Sequence, residues 1–217
     1  MRHKFWILIA ALILGACSSI APITGSGNVR SEERTIKDVV AVNLAAVGTL
    51  VIQQGSAETL VVEADDNILP LIVTGVKDGT LTIDASRSFS DPTTLKYTLT
   101  VLEVNAISLT GAGTINAENL SADVMSLENS GSGSMALGDF IITSGADIVN
   151  SGAGSTILRS LESADTSFDV SGVGGVEIDA LVTTMIQAGL RSAGGITLSG
   201  QTSSQTVTVS GVGSYNA

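Results

Sequence analysis

Glu177 and Asp179 stand two residues apart in an alternating stretch, so on a β-strand both carboxylates would leave one face about 7 Å apart. Paired acids near that spacing are what glycosidic-bond hydrolysis uses. Oxygen-rich groupings of the kind calcium favours occur at Asp65-Asp66-Asn67 and at Gly174-Gly175-Val176-Glu177-Ile178-Asp179. Neither has the ligand spacing of an EF-hand loop or of the calcium-binding nonapeptide solenoid. The first reads as a polar turn, and the second as a strand leaving a corner with its acids on a solvated face. Imidazole chemistry is closed, because His3 is the only histidine and lies in a segment with the marks of a removable export signal. Ser-His-Asp and Cys-His pairs and the usual zinc sets go with it. The basic residues that remain, Arg30, Arg34, Lys37, Lys77, Arg87, Lys96, Arg159 and Arg191, form no cluster that would hold an anionic sugar. Phe89, Tyr97, Phe140, Phe168 and Tyr215 are too dispersed to stack sugar rings. Glycine-rich corners abound, yet none is followed by Lys-Ser/Thr, so no phosphate-cradling loop is present. No catalytic residue, metal or cofactor is assigned.

Cys17 does carry a chemical assignment. Arg2, His3 and Lys4 precede an apolar run from Phe5 to Leu14, followed by Gly15-Ala16-Cys17. The run is shorter than the roughly 20 apolar residues that span a bilayer, and the pattern is that of a signal peptide. Small residues before a lone cysteine resemble the lipobox of bacterial lipoproteins, where cleavage precedes the cysteine and the cysteine is acylated. Residues 1–16 are thus expected to be the signal peptide, 17–28 a lipidated tether, and 29–217 a single domain. A single cysteine cannot close an internal disulfide, whereas two or more acyl chains anchor stably, each buried methylene contributing about 0.8 kcal/mol. Ser18, where enteric lipoproteins kept at the inner membrane usually carry aspartate, favours the outer membrane. Loss of Arg2 and Lys4 leaves 8 basic against 21 acidic residues, a net charge of −13, which disfavours nucleic acid as a partner.

The elements that would position these side chains announce themselves by repetition. Thr110-Gly111-Ala112-Gly113, Ser130-Gly131-Ser132-Gly133, Ser151-Gly152-Ala153-Gly154, Ser171-Gly172-Val173-Gly174, Arg191-Ser192-Ala193-Gly194 and Ser210-Gly211-Val212-Gly213 recur at steps of 20, 21, 20, 20 and 19 residues. Two places after each corner come Ile115, Met135, Thr156, Val176 and Ile196, and two further on Ala117, Leu137, Leu158, Ile178 and Leu198. That alternation is a strand with one apolar face, and a flexible Ser/Gly linker has no reason to keep it. A repeat so short cannot close a core alone, so each copy must stack on its neighbours as a coil of an all-β solenoid, about 20 residues per turn. The corner glycines are expected to supply positive φ and to let one coil's backbone lie close on the next.

If coils run from Val39 to the end, roughly nine turns form a rod about 40 Å long. The fainter N-terminal copies are Ala46–Ile52, Leu60–Ala64 and Gly79–Asp84, with an interruption or short helical turn at Asn67–Leu71 around Pro70. Asn129 and Asn150 fall at one position of consecutive turns, where other turns carry Leu109, Val170, Leu190 and Val209. They are expected to stack inward, each amide bonding its counterpart one rung away.

Gly25-Ser26-Gly27-Asn28-Val29, Val47-Gly48-Thr49-Leu50-Val51-Ile52-Gln53-Gln54-Gly55, Leu60-Val61-Val62-Glu63-Ala64-Asp65-Asp66-Asn67-Ile68-Leu69-Pro70, Asp78-Gly79-Thr80-Leu81-Thr82-Ile83 and the Ser-Gly-x-Gly corners follow one another in that order. In this the chain resembles the bacterial putative auto-transporter adhesin, head GIN domain family, over nearly all its mature length. The resemblance implies a right-handed parallel β-helix of pectate lyase type and brings no catalytic motif. Two departures are an opening Val39-Val40-Ala41-Val42 without an aromatic and the loss of the fifth corner's first glycine to Ser192, which would distort that turn. The expected function is non-enzymatic: a lipid-anchored, adhesin-like binding or scaffold module of the cell envelope. It would meet the membrane through acylated Cys17 and an unknown protein or glycan through its faces. The alternative is a polysaccharide lyase or hydrolase on the same scaffold, which fold analogy alone does not establish. Ser210–Ala217 leaves an unpaired edge without an evident polar cap, so self-association at the C-terminal coil is expected.

Overall fold

The computed structural model describes residues 21–191 and 193–217. The segment expected to be a signal peptide, Cys17 and Ser192 lie outside them. Sixteen strands follow in order: β1 (Ile23–Thr24), β2 (Val29–Arg34), β3 (Ala41–Leu44), β4 (Thr49–Gln54), β5 (Thr59–Asp65), β6 (Ile72–Lys77), β7 (Thr80–Ala85), β8 (Phe89–Ser90), β9 (Leu95–Val101), β10 (Ala106–Leu109), β11 (Thr114–Asn129), β12 (Ser134–Asn150), β13 (Thr156–Val170), β14 (Val176–Leu190), β15 (Gly195–Val209) and β16 (Ser214–Asn216). Pro70 sits in a 3-10 turn, Leu69–Leu71, where its missing N–H costs nothing.

From β10 onward, each coil pairs in parallel with the next. The apolar columns superpose rung on rung: Ile115 on Met135, Thr156, Val176 and Ile196, and Leu127 on Ile148, Phe168, Ala188 and Val207. Strict alternation of buried and exposed residues breaks twice per coil. In β11 Glu118 and Asn119 are both exposed, as are Asp123 and Val124. These two bends and the glycine corner divide every coil into three sides, with the core on the shared inside. The unequal steps in the repeat have local causes. The 21-residue step places an extra residue between Ile142 and Gly145, an outward bulge. The 19-residue step loses one residue between Ile178 and Leu181, where Gly200 adopts φ +149 and a methyl group would land on the Leu181 carbonyl oxygen.

The stack has about six turns, against the nine expected from uniform coiling. The difference lies in residues 53–105. The Ala46-Val47-Gly48 corner does lie directly beneath Gly111–Gly113, as Thr110 and Gly111 N–H donate to Leu44 and Thr114 N–H to Gly48. Between them in sequence, however, β5 runs antiparallel to both β2 and β9, and β6 antiparallel to β7. Leu60–Ala64 and Thr80–Asp84 are strands as read, but they close the N-terminal end of the solenoid as hairpin-like layers. One side therefore stacks β2, β5, β9, β4, β11, β12, β13, β14, β15 and β16 in that order.

Candidate binding surfaces

The corners are where coils touch backbone to backbone. A methyl group on Gly131, Gly152 or Gly172 would fall on the carbonyl oxygen of Gly111, Gly131 or Gly152. One on Gly133, Gly154, Gly174 or Gly194 would fall on that of Gly113, Gly133, Gly154 or Gly174. Gly111 and Gly113 meet the Ala45 and Gly48 carbonyls in the same way, and Gly211 and Gly213 form the corner between β15 and β16. Ser132, Ala153 and Val173 N–H donate to Gly111, Gly131 and Gly152 at 3.1, 3.0 and 3.1 Å. Among these corners only Gly48 has positive φ, at +106. Close approach, rather than left-handed backbone, is what excludes a Cβ.

Asn129 and Asn150 are adjacent in register and buried, but their amides do not bond to one another. Asn150 Nδ2 donates to Gly154 O at 2.9 Å and Gly175 O at 3.1 Å, and Asn129 Nδ2 to Gly133 O at 3.1 Å and Ser155 O at 3.3 Å. Each amide thus ties its own corner to the coil above. Both Nδ2 groups are satisfied by backbone carbonyls of the corner and the next coil, and both Oδ1 atoms are buried without a hydrogen-bond partner.

Asp65-Asp66-Asn67 forms a clasp on the start of the chain. The Asp65 carboxylate is buried and accepts from Gly27 N–H at 2.9 Å and Thr93 N–H at 2.7 Å. Asp66 accepts from the Ser26 hydroxyl at 2.5 Å; Asn67 accepts from Ser26 N–H at 3.0 Å and donates to Thr24 O at 2.8 Å. Burial alone would raise the Asp65 pKa, but the Thr93 N–H and hydroxyl and the Gly27 N–H outweigh it and hold the carboxyl below the usual range. Residues 23–28, assigned from sequence to the tether, are therefore part of the folded body, with β1 paired to β8. The oxygens of the candidate calcium turn are committed to protein donors.

Glu177 and Asp179 are exposed on β14, either side of buried Ile178, and β14 is a regular rung of the stack. Asp179 borders a shallow depression with Glu118, Ile157 and Arg159. The Arg159 guanidinium is held by Asp139 through Nε at 2.8 Å and Nη2 at 2.7 Å, a bidentate pair that draws the Asp139 pKa down. The cation nearest Asp179 in the depression is thus already engaged by a carboxylate one coil below. Other outward carboxylates are spent likewise in bonds to the next coil: Asp123 accepts from Thr143 and Ser144, Asp147 from Ser167, and Asp169 from Arg191. Most of these links span 20 or 21 residues, so the period that reveals the core columns would also have revealed them. No group of three or more Asp, Glu, His or Cys suited to a metal occurs among the described residues. A broad depression lies on the side between the two bends and crosses four coils, lined by Ile141, Glu162, Val182, Thr184, Gln201 and Ser203.

A family described as putative auto-transporter adhesin, head GIN domain, matches residues 39–184. The chain belongs to that family. The match begins after β2 and ends within β14, so it takes in the antiparallel β5–β9 and β6–β7 pairs together with the parallel coils. A crystal structure of a putative adhesin from Bacteroides fragilis is similar, with TM-score 0.77 and 22% identity, covering 89% of this chain and 99% of that one. A putative lipid binding protein from Parabacteroides distasonis has TM-score 0.61 and 19% identity, covering 91% and 100%. A putative adhesin from Parabacteroides merdae has TM-score 0.59 and 15% identity, covering 90% and 99%. At these identities the likeness is one of fold. No curated protein matches the chain.

Proposed function

We propose that this head GIN domain protein is an exported, non-enzymatic adhesin-like rod, lipid-anchored through Cys17 at the outer membrane, whose lateral faces bind a glycan or protein. The observation that carries the reading is the regularity of the outward faces. Side chains there repeat coil after coil, and Asp123, Asp139, Asp147 and Asp169 are each bonded to a side chain of the adjoining coil. Such a surface offers many similar weak contacts, which suits adhesion or scaffolding. The family name and the adhesin names of similar structures support the same class of role. Mature chain purified from the envelope and passed over uronate and neutral glycans should be retained without forming product. Product formation that disappears in Glu177→Gln or Asp179→Asn would replace this reading with the polysaccharide-acting one. Acylation is read separately by mass spectrometry: the lipid adduct should vanish in Cys17→Ala.

A further inference from the structure

The two ends of the rod are finished differently. At the N-terminal end the outermost strand β2 carries Arg30, Glu32, Glu33 and Arg34, charges that keep a free strand edge from pairing. At the opposite end, β16 covers only Gly195–Thr197 of β15, so among the described residues the edge from Leu198 to Val209 has no paired strand. This second edge has none of the usual protections. No Asp, Glu, Lys, Arg or Pro follows Arg191, and Gln201–Val209 is rich in β-formers. Val209, in the column of buried Val170 and Leu190, is 47% exposed, and Thr202 and Gln205 also stand exposed in interior columns. The tip thus combines an open ladder with exposed interior side chains in the longest stretch without charged side chains of a strongly acidic chain.

We infer that this tip pairs with the tip of a second copy, the two β15 edges running antiparallel about a two-fold axis. A second copy fits this end because like charge repels it elsewhere on a chain of net charge −11, whereas the two β15 edges meet with no charged side chain on either. The geometry also fixes what the joint connects. β2 and β16 lie at opposite ends of a ten-strand side, about 43 Å apart at the usual strand spacing. The residues leading to the anchor therefore emerge at one end and the pairing edge at the other. Tip-to-tip pairing spans two apposed surfaces, each bearing this protein, rather than neighbours on one surface. This rests on the adhesin-like reading and names its partner. The joint is one coil wide, smaller than a standard stable interface, so it is weak singly and gains strength from many copies anchored together.

The test attaches the chain from Ser18, by an N-terminal histidine tag, to phosphatidylcholine vesicles carrying a nickel-chelating lipid, so that acylation is not needed. Two dye-labelled vesicle populations should cross-link when both carry the protein and stay apart when only one does. Thr206→Lys and Thr208→Lys, at exposed edge positions, should lower cross-linking about ten-fold by placing like charges across the joint. Thr184→Lys, exposed one coil below, should leave it unchanged. Circular dichroism of each variant confirms the fold. Absence of cross-linking by the wild-type protein, or equal cross-linking by the edge variants, overturns the inference. Glycan retention in the same preparation would show the broader adhesin-like reading surviving that failure.

Discussion

Asp65 shows how one side chain fastens the start of the chain to the body. Its folded pKa is depressed, so its contribution to stability is present above the unfolded value of about 3.9 and is lost as pH falls through the lower folded value. Asp65→Asn keeps the shape but removes the charge and turns an amide NH2 toward one of the two donors, Gly27 N–H or Thr93 N–H. Urea midpoints should fall in the variant at pH 7, and the gap from wild type should narrow below about pH 3. A gap independent of pH would contradict the account. The acids of this turn were legible as a polar turn from composition, but their partners were not. Gly25–Asn28 and Thr93 lie roughly forty and thirty residues away in sequence, and no periodicity links them to Asp65. The corner amides teach a related lesson. Their inward position follows from register, while their acceptors are backbone carbonyls, which a period of side chains does not report.

At the scale of elements, the parallel coils were readable because Ile115, Met135, Thr156, Val176 and Ile196 keep one period; the antiparallel layers were not. Leu60-Val61-Val62-Glu63-Ala64 alternates identically whichever way its neighbours run, and alternation alone carries no strand direction. The junction between these regions leaves the second side of β11 without a strand below it. Gln54 fills that place: its Oε1 accepts from Ser121 N–H at 2.9 Å, and its Nε2 donates to Ser121 O and Leu102 O, both at 3.1 Å. A side-chain amide here stands in for the peptide group of an absent strand. Gln54→Ala should cost about 1 kcal/mol, since water replaces part of the loss at this exposed site. Amide exchange at Ser121 should quicken more than exchange at Ile115. Unchanged protection of Ser121 would show that the amide is not closing the edge.

As a whole molecule, the protein is a stack of coils held at close range along a line of glycine corners. In such a stack each coil contacts only its neighbours, so one failed contact in the middle weakens everything on both sides. The Gly152 and Gly145 pair isolates this claim within one coil. A methyl group on Gly152 falls on the Gly131 carbonyl oxygen, whereas one on Gly145 meets only Asp165 O, at 3.8 Å. The decisive measurement is the denaturant midpoint of Gly152→Ala beside Gly145→Ala. Backbone stacking predicts a loss of more than about 3 kcal/mol for the first and a change within about 1 kcal/mol for the second. Equal midpoints for the two variants would contradict it.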